Sequence, residues 1–162
     1  MKPRSTPFVL GLLLTIGAWS AYAEAQVEVR YIEPGNFADL KSTWLSQENL
    51  LATLSAHLKT LGNKYLADGL KLEIEVTDVD LAGSIEYPPG GDPIRVMRDV
   101  TSPRITLRWR VLSADQSVPM QEVTLRDMDY LRRSSFYGDG DPLRYEKQML
   151  EDWFKRGFVT AK

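Results

Sequence analysis

Leu70-Lys71-Leu72-Glu73-Ile74-Glu75-Val76-Thr77-Asp78-Val79-Asp80-Leu81-Ala82-Gly83 is the stretch around which the rest of the chain is arranged. Its first half alternates apolar and polar residues with a period of two, the pattern of a strand with one face on a core. Its second half carries two aspartates at i and i+2. A second Asp-x-Asp step stands far downstream, at Asp127 and Asp129.

On the N-terminal side, Ser46 to Leu66 reads as a helix. Leu50, Leu54, Leu58, Leu61 and Tyr65 recur at spacings of four, four, three and four, one face of a 3.6-residue period. Ser46 suits the N-cap. Glu48 lies near the positive end of the helix dipole, and Lys59 and Lys64 near the negative end. Gly62 either ends this helix early or is absorbed at a cost of about 1 kcal/mol. Further upstream, Val27 to Ile32 alternates and reads as a first strand, stopped by Pro34-Gly35-Asn36. Trp44, in the mixed segment after it, is expected at the core edge.

On the C-terminal side, Gly83 to Pro93 reads as loop, and Ile94 to Val100 contains a short extended piece. Arg104 to Leu112 is the next strong strand. Ile105, Leu107, Trp109 and Val111 take one face, and Thr106, Arg108 and Arg110 the other. Ser113 to Ser117 links it to a strand from Met120 to about Met128. A link this short predicts an antiparallel hairpin. Arg132 to Gly140 is a polar loop. Asp141-Pro142 begins a last helix, running to about Arg156 and stopped by Gly157. Tyr145, Met149, Leu150, Trp153 and Phe154 are its apolar residues. Glu151–Lys155 and Asp152–Arg156 are its i, i+4 pairs. The order of elements predicts an α+β fold: an antiparallel or mixed sheet of about four strands with two main helices packed on one face.

The first residues do not belong to this domain. Lys2 and Arg4 precede an apolar run from Phe8 to Trp19, and Ala21-Tyr22-Ala23 follows. The run is shorter than the roughly 20 residues a membrane span needs, so residues 1–23 read as a secretory signal peptide. Cleavage after Ala23, or alternatively after Ala25, leaves residues 24–162 as one domain without a membrane span. The chain has no cysteine, which excludes disulfides and attachment of a lipid to a thiol. The expected location is the periplasm, with release to the medium as the alternative. The signal holds two of the 20 basic residues and none of the 22 acidic ones, leaving a net charge of −4. That balance argues against nucleic-acid binding.

The chemistry-bearing candidates are Asp78, Asp80, Asp127 and Asp129, together with Arg95, Arg98 and Arg104. Residues i and i+2 of a strand share a face, so neighbouring strands would gather four carboxylates in one patch. Such a patch needs arginine partners or a cation. Arginine pairing is the expectation, because no calcium-loop spacing is present. No cofactor and no metal are expected. His57, the sole histidine, reads as a boundary residue of the first helix, and no serine stands in a nucleophile-elbow setting. Arg108 and Arg110 are expected to pair across the sheet with Glu73, Glu75 or Glu122. Trp44, Trp109 and Trp153 are expected in the core.

Four stretches together resemble a known family: Asp78 to Gly83; Arg95 to Val100 with Pro103-Arg104-Ile105; Asp127 to Tyr130; and Asp141 to Lys147 continuing to Asp152-Trp153-Phe154. With the preceding helix they are similar to the bacterial exported proteins grouped as domain of unknown function 3016. The resemblance spans Val27 to Phe158. One departure is Ser102, where the family pattern places a bulky aromatic. The resemblance implies export and a single domain and carries no activity, cofactor or site residue.

Three functional expectations follow. The first is a non-catalytic periplasmic binding or envelope-associated module. The second is a hydrolase using the four aspartates around a divalent cation. The third is an interaction subunit of an envelope complex, contacting a protein partner through Tyr87, Phe136 or Tyr137.

Overall fold

The computed structural model describes residues 26–43, 45–113 and 118–158. Residues 1–25, which include the stretch read as a signal peptide, Trp44 and most of the Ser113–Ser117 link lie outside the described residues. In chain order the elements are β1 (Gln26–Tyr31), α1 (Gln47–Tyr65), β2 (Lys71–Asp80), β3 (Ser84–Glu86), β4 (Ile94–Val96), β5 (Arg104–Leu112), β6 (Gln121–Arg126) and α2 (Arg144–Phe158), with a single 3-10 turn at Pro34–Asn36.

The leucine spacing makes α1. Ser46 caps it, its hydroxyl accepting the Asn49 amide at 3.2 Å. Leu50, Leu54, Leu58 and Leu61 are buried. Gly62 is absorbed within the helix, for a packing reason. A Cβ at Gly62 would lie 1.9 Å from Val27 Cγ2, so the helix meets β1 where only hydrogen fits. β1 and β2 pair in parallel, which requires a crossover between them, and α1 is that crossover. β2–β5 and β5–β6 are antiparallel. The main sheet is therefore mixed, in the order β1-β2-β5-β6.

β2 changes phase halfway. Leu72, Ile74 and Val76 are buried, and a strict period of two would next bury Asp78 and Asp80. Instead the register jumps from Val76↔Leu107 to Asp78↔Thr106 and leaves Thr77 without a partner residue. This bulge turns Val79 and Leu81 into the core, where both are buried, and sets the two aspartates on the outer side.

Both helices cover one face of the sheet and share a single apolar core with β2 and β5. The opposite face carries an ion-pair ladder, with Arg108–Glu75 at 2.9 Å and Arg110–Glu73 at 2.6 Å. Two helix boundaries differ from the sequence expectation. Asp141 Oδ1 accepts the Leu143 amide at 2.9 Å, but regular helix starts only at Arg144. At the other end α2 runs through Gly157, because Phe158 is buried edge-on against Trp109 and Trp153, with ring centroids 5.3 and 5.4 Å away. Asp152 pairs with Arg133 at 2.8 Å, a tertiary partner in place of Arg156. Ser84–Glu86, expected as loop, pairs with β4 in a small second sheet. Three residues are too few to show a period.

Candidate functional site

Arg95 ties three segments together. It lies on β4, opposite Ile85 of β3. Nη1 donates to Ala82 O at 3.0 Å and Gly83 O at 3.2 Å. Nη2 donates to Asp39 Oδ2 at 3.0 Å and also to Lys41 O. The Asp39 segment in turn lies along the end of β2, Asp39 N donating to Val79 O at 3.0 Å and Leu81 N to Asp39 O at 3.1 Å. Gly83 permits this crossing: its φ is +79°, and a Cβ there would stand 2.6 Å from Val96 O and 2.7 Å from Met97 Sδ.

The seven sequence candidates fall into separate groups around this point. Asp78 and Asp80 share Arg104, at 3.2 and 3.3 Å, and Asp78 Oδ1 also accepts the Ala38 amide at 2.8 Å. Arg95 pairs with Asp39, and Arg98 with Glu86. Asp127 pairs with Arg133, while Asp129 lies 3.6 Å from Arg132. The shared four-carboxylate patch does not form, for two reasons. β5 separates β2 from β6, two strand spacings or about 10 Å. β6 also ends at Arg126, so Asp127 and Asp129 sit in a turn and not on a strand face. Among the described residues no group of three or more histidine, aspartate or glutamate side chains is placed to hold a metal ion.

Between the Arg95 junction and the start of α2 lies a cleft of about 350 Å³. Buried Leu50, Leu81 and Tyr145 line it, with the more open Ile94 and Met97. Lys41, Ser42 and Thr43 border one part, and Asp139, Asp141, Pro142 and Arg144 another. The volume falls at the small end of the range for small-molecule sites, about 300–1,000 Å³, and an apolar hollow with polar and charged groups at its border is typical of them. Arg144 pairs with Asp139, and its guanidinium stands 4.5 Å from the Tyr145 ring centroid. Asp141 pairs with Lys147.

Behind Tyr145 sits Glu146, the most enclosed carboxyl among the described residues at 1% exposure. Oε1 accepts the Ala82 amide at 2.7 Å, and Oε2 has no hydrogen-bond partner among the described residues. Burial pushes its pKa up to about 7, against the Ala82 bond and the charge of Arg95. A second polar knot lies between the helices. Glu151 accepts from Lys64 Nζ, Tyr65 OH and Tyr137 OH, each at 2.8 Å. Burial opposes its ionisation, but these three bonds and Lys155 outweigh that and bring its pKa down to about 2. Tyr137 is shifted upward by burial and by Glu151. His57 Nε2 lies 3.1 Å from Lys147 O. A carbonyl only accepts, so this nitrogen carries the hydrogen, and burial lowers the ring's pKa. The bonds of this knot pin the 131–140 loop onto α1 and α2. Tyr137 is therefore a structural residue, unlike Tyr87 and Phe136, which are 77% and 79% exposed.

A family model described as "Protein of unknown function (DUF3016)" matches residues 25–156. The chain belongs to this family. No curated protein matches the DUF3016 chain. Among solved structures it is similar to a Xanthomonas campestris protein of family DUF330. Identity is 13% and the TM-score 0.37, over 85% of this chain and 84% of that one.

Ser102 has a local use. Ser102 is buried and its hydroxyl accepts Arg126 Nε at 2.8 Å. The residues that sequence reasoning missed are Asp39, Lys41, Arg144 and Glu146. Glu146 alone left a signal: with Leu150, Trp153 and Phe154 it occupies i, i+4, i+7 and i+8 of α2, a carboxylate within an apolar stripe.

Proposed function

We propose that this DUF3016 protein is an exported, periplasmic binding module, holding a small ligand in the cleft beside Arg95 without performing chemistry on it. The observation that carries this reading is the cleft itself, a mainly apolar hollow of about 350 Å³ with one wall tied together by the Arg95 bonds and joined to α2 by the Glu146–Ala82 bond. Pre-formed walls reduce the ordering cost of binding. Binding is favoured over catalysis because two of the charged groups at the wall, Arg95 and Asp141, are engaged in holding the fold. Arg95 spends its donors on backbone and Asp39, and Asp141 caps α2 and pairs with Lys147. Export is supported by the basic start, apolar run and Ala21-Tyr22-Ala23 step of the sequence.

Two measurements test the reading. Expression of the full chain in a Gram-negative host, followed by osmotic shock and N-terminal sequencing, is expected to release a protein beginning at Glu24 or Gln26. Recovery in the cytosol with residue 1 intact would refute export. A thermal-shift screen with small amphiphilic compounds is expected to yield stabilising ligands whose effect disappears in Ile94→Trp, which fills the cleft from its open side. Stabilisation that persists in the filled variant places the binding elsewhere.

A further inference from the structure

We propose that the ligand of this cleft is an amphiphile bearing one negative charge, an aliphatic or aromatic monocarboxylate, with its head on Lys41 and its body against Leu81, Ile94, Met97 and Tyr145. The inference rests on the cleft being a binding site and adds the chemical class of what binds.

Charge accounting around the cleft selects the sign. Five ionised side chains border it: Lys41, Arg95, Arg144, Asp139 and Asp141. Arg95 is satisfied by Asp39 and three backbone carbonyls. Asp141 is held by Lys147. Arg144 is matched by Asp139, whose carboxylate is fully exposed, so that pair is weakly held. Lys41 is exposed, and among the described residues no carboxylate pairs with its ammonium. One cation is thus left over at the edge of an apolar hollow, with Arg144 available as a second donor. A cationic ligand would meet three basic side chains against two carboxylates, a net charge of its own sign. A sugar or peptide would need donors and acceptors along its whole length, and the hydroxyls of Ser42 and Thr43 stand beside Lys41, while Leu50, Leu81, Ile94 and Met97 offer none. An anionic head with an apolar body satisfies both halves of the site.

The test compares octanoate, octan-1-ol and octylammonium by calorimetry or ligand-observed NMR, on the wild type, Lys41→Met, Ile94→Trp and the distant surface control Lys59→Met. Octanoate is expected to bind at least tenfold more tightly than the other two. Lys41→Met is expected to weaken octanoate about five- to tenfold and leave octan-1-ol unchanged, Lys59→Met to change nothing, and Ile94→Trp to abolish binding of all. Equal binding of the three ligands, or octanoate binding unaffected by Lys41→Met, overturns the anion assignment while the cleft survives as a site. Absence of binding by all three also overturns it. In that case, hits from the broader thermal-shift screen that vanish in Ile94→Trp keep the cleft, and their absence removes it as well. Lys41 is exposed, so its substitution leaves folding intact, which circular dichroism checks.

Discussion

Glu146 accepts the Ala82 amide through one carboxyl oxygen at 2.7 Å, while its other oxygen, equally buried, meets no donor among the described residues. The bond joins the first turn of α2 to the segment that follows β2, and Ala82 O on the same residue is one of the carbonyls gripping Arg95. An ionised carboxylate in this place is poorly solvated, so the folded state keeps the proton up to a pH of about 7. The unfolded chain releases it near the ordinary glutamate value of 4.5. Between those values the folded state binds more protons, and stability falls as pH rises. The full loss is about 3 kcal/mol. His57 acts in the opposite sense: its pKa is lowered by burial, so its contribution is lost as pH falls through the ordinary histidine range. Glu146→Gln keeps an oxygen for Ala82 and removes the titration. Urea unfolding from pH 4 to 8 is expected to show the variant gaining on the wild type between about pH 4.5 and 7, then running parallel to it. Parallel curves throughout would contradict a proton held by Glu146.

The Glu151 knot has the reverse pH sign. Its pKa is lowered to about 2 in the fold, so its contribution is complete above pH 4.5 and drains away as pH drops toward 2. Glu151→Ala removes the acceptor of Tyr65, Tyr137 and Lys64 together. Leaving half-buried hydroxyls unpaired costs about 1–3 kcal/mol, so a loss of roughly 3 kcal/mol is expected at pH 7. Tyr137→Phe is expected to cost less. The two losses should be sub-additive by about 1 kcal/mol in a double-mutant cycle, and strict additivity would separate Tyr137 from the knot.

Asp78 and Asp80 share one arginine but differ in weight. The Asp80 side chain is 38% exposed and lies 3.3 Å from Arg104, itself 37% exposed. Such a pair contributes about 0–1 kcal/mol. Asp78 additionally accepts the Ala38 amide at 2.8 Å, holding the segment that leads to Asp39 and Arg95. Asp80→Ala is therefore expected to shift stability by less than about 0.5 kcal/mol, and Asp78→Ala to lose about 1.5–2 kcal/mol. Equal effects in chemical denaturation would remove the backbone bond from the account.

The contrast between these two aspartates shows where sequence reasoning stops. The leucine stripe of α1 and the alternation of β2 and β5 are local periodicities, and the α+β class follows from their order. The bulge at Thr77 shows only as a three-residue step from Val76 to Val79 in place of two, easily read as a strand that ends in acids. Partner choice is less visible still. Arg95 and Asp39 are 56 residues apart, and the spacing of their segments follows from the parallel β1–β2 pairing, not from anything near either residue. Asp127 stands one residue past the last residue of β6, and that single step moves it from a strand face into a turn. Glu146 differs: its position in the apolar stripe of α2 was on view, but helix polarity is usually judged by its average, where one carboxylate disappears.

The contact between Gly62 and Val27 gives the sharpest packing test. Alanine normally favours an α-helix over glycine by about 1 kcal/mol, so propensity alone predicts that Gly62→Ala stabilises α1. The methyl would instead stand 1.9 Å from Val27 Cγ2, and neither the helix nor β1 can retreat without disturbing the parallel pairing of β1 with β2. Overpacking of this kind costs about 1–3 kcal/mol, so a net loss is expected in thermal or urea unfolding. Val27→Ala alone is expected to lose about 1–2 kcal/mol of apolar burial. Combining the two removes the clash and returns the helix propensity, so the double variant should be more stable than Gly62→Ala alone. A stabilised Gly62→Ala, or a double variant that loses the full sum, would mean that α1 and β1 are not held at this distance.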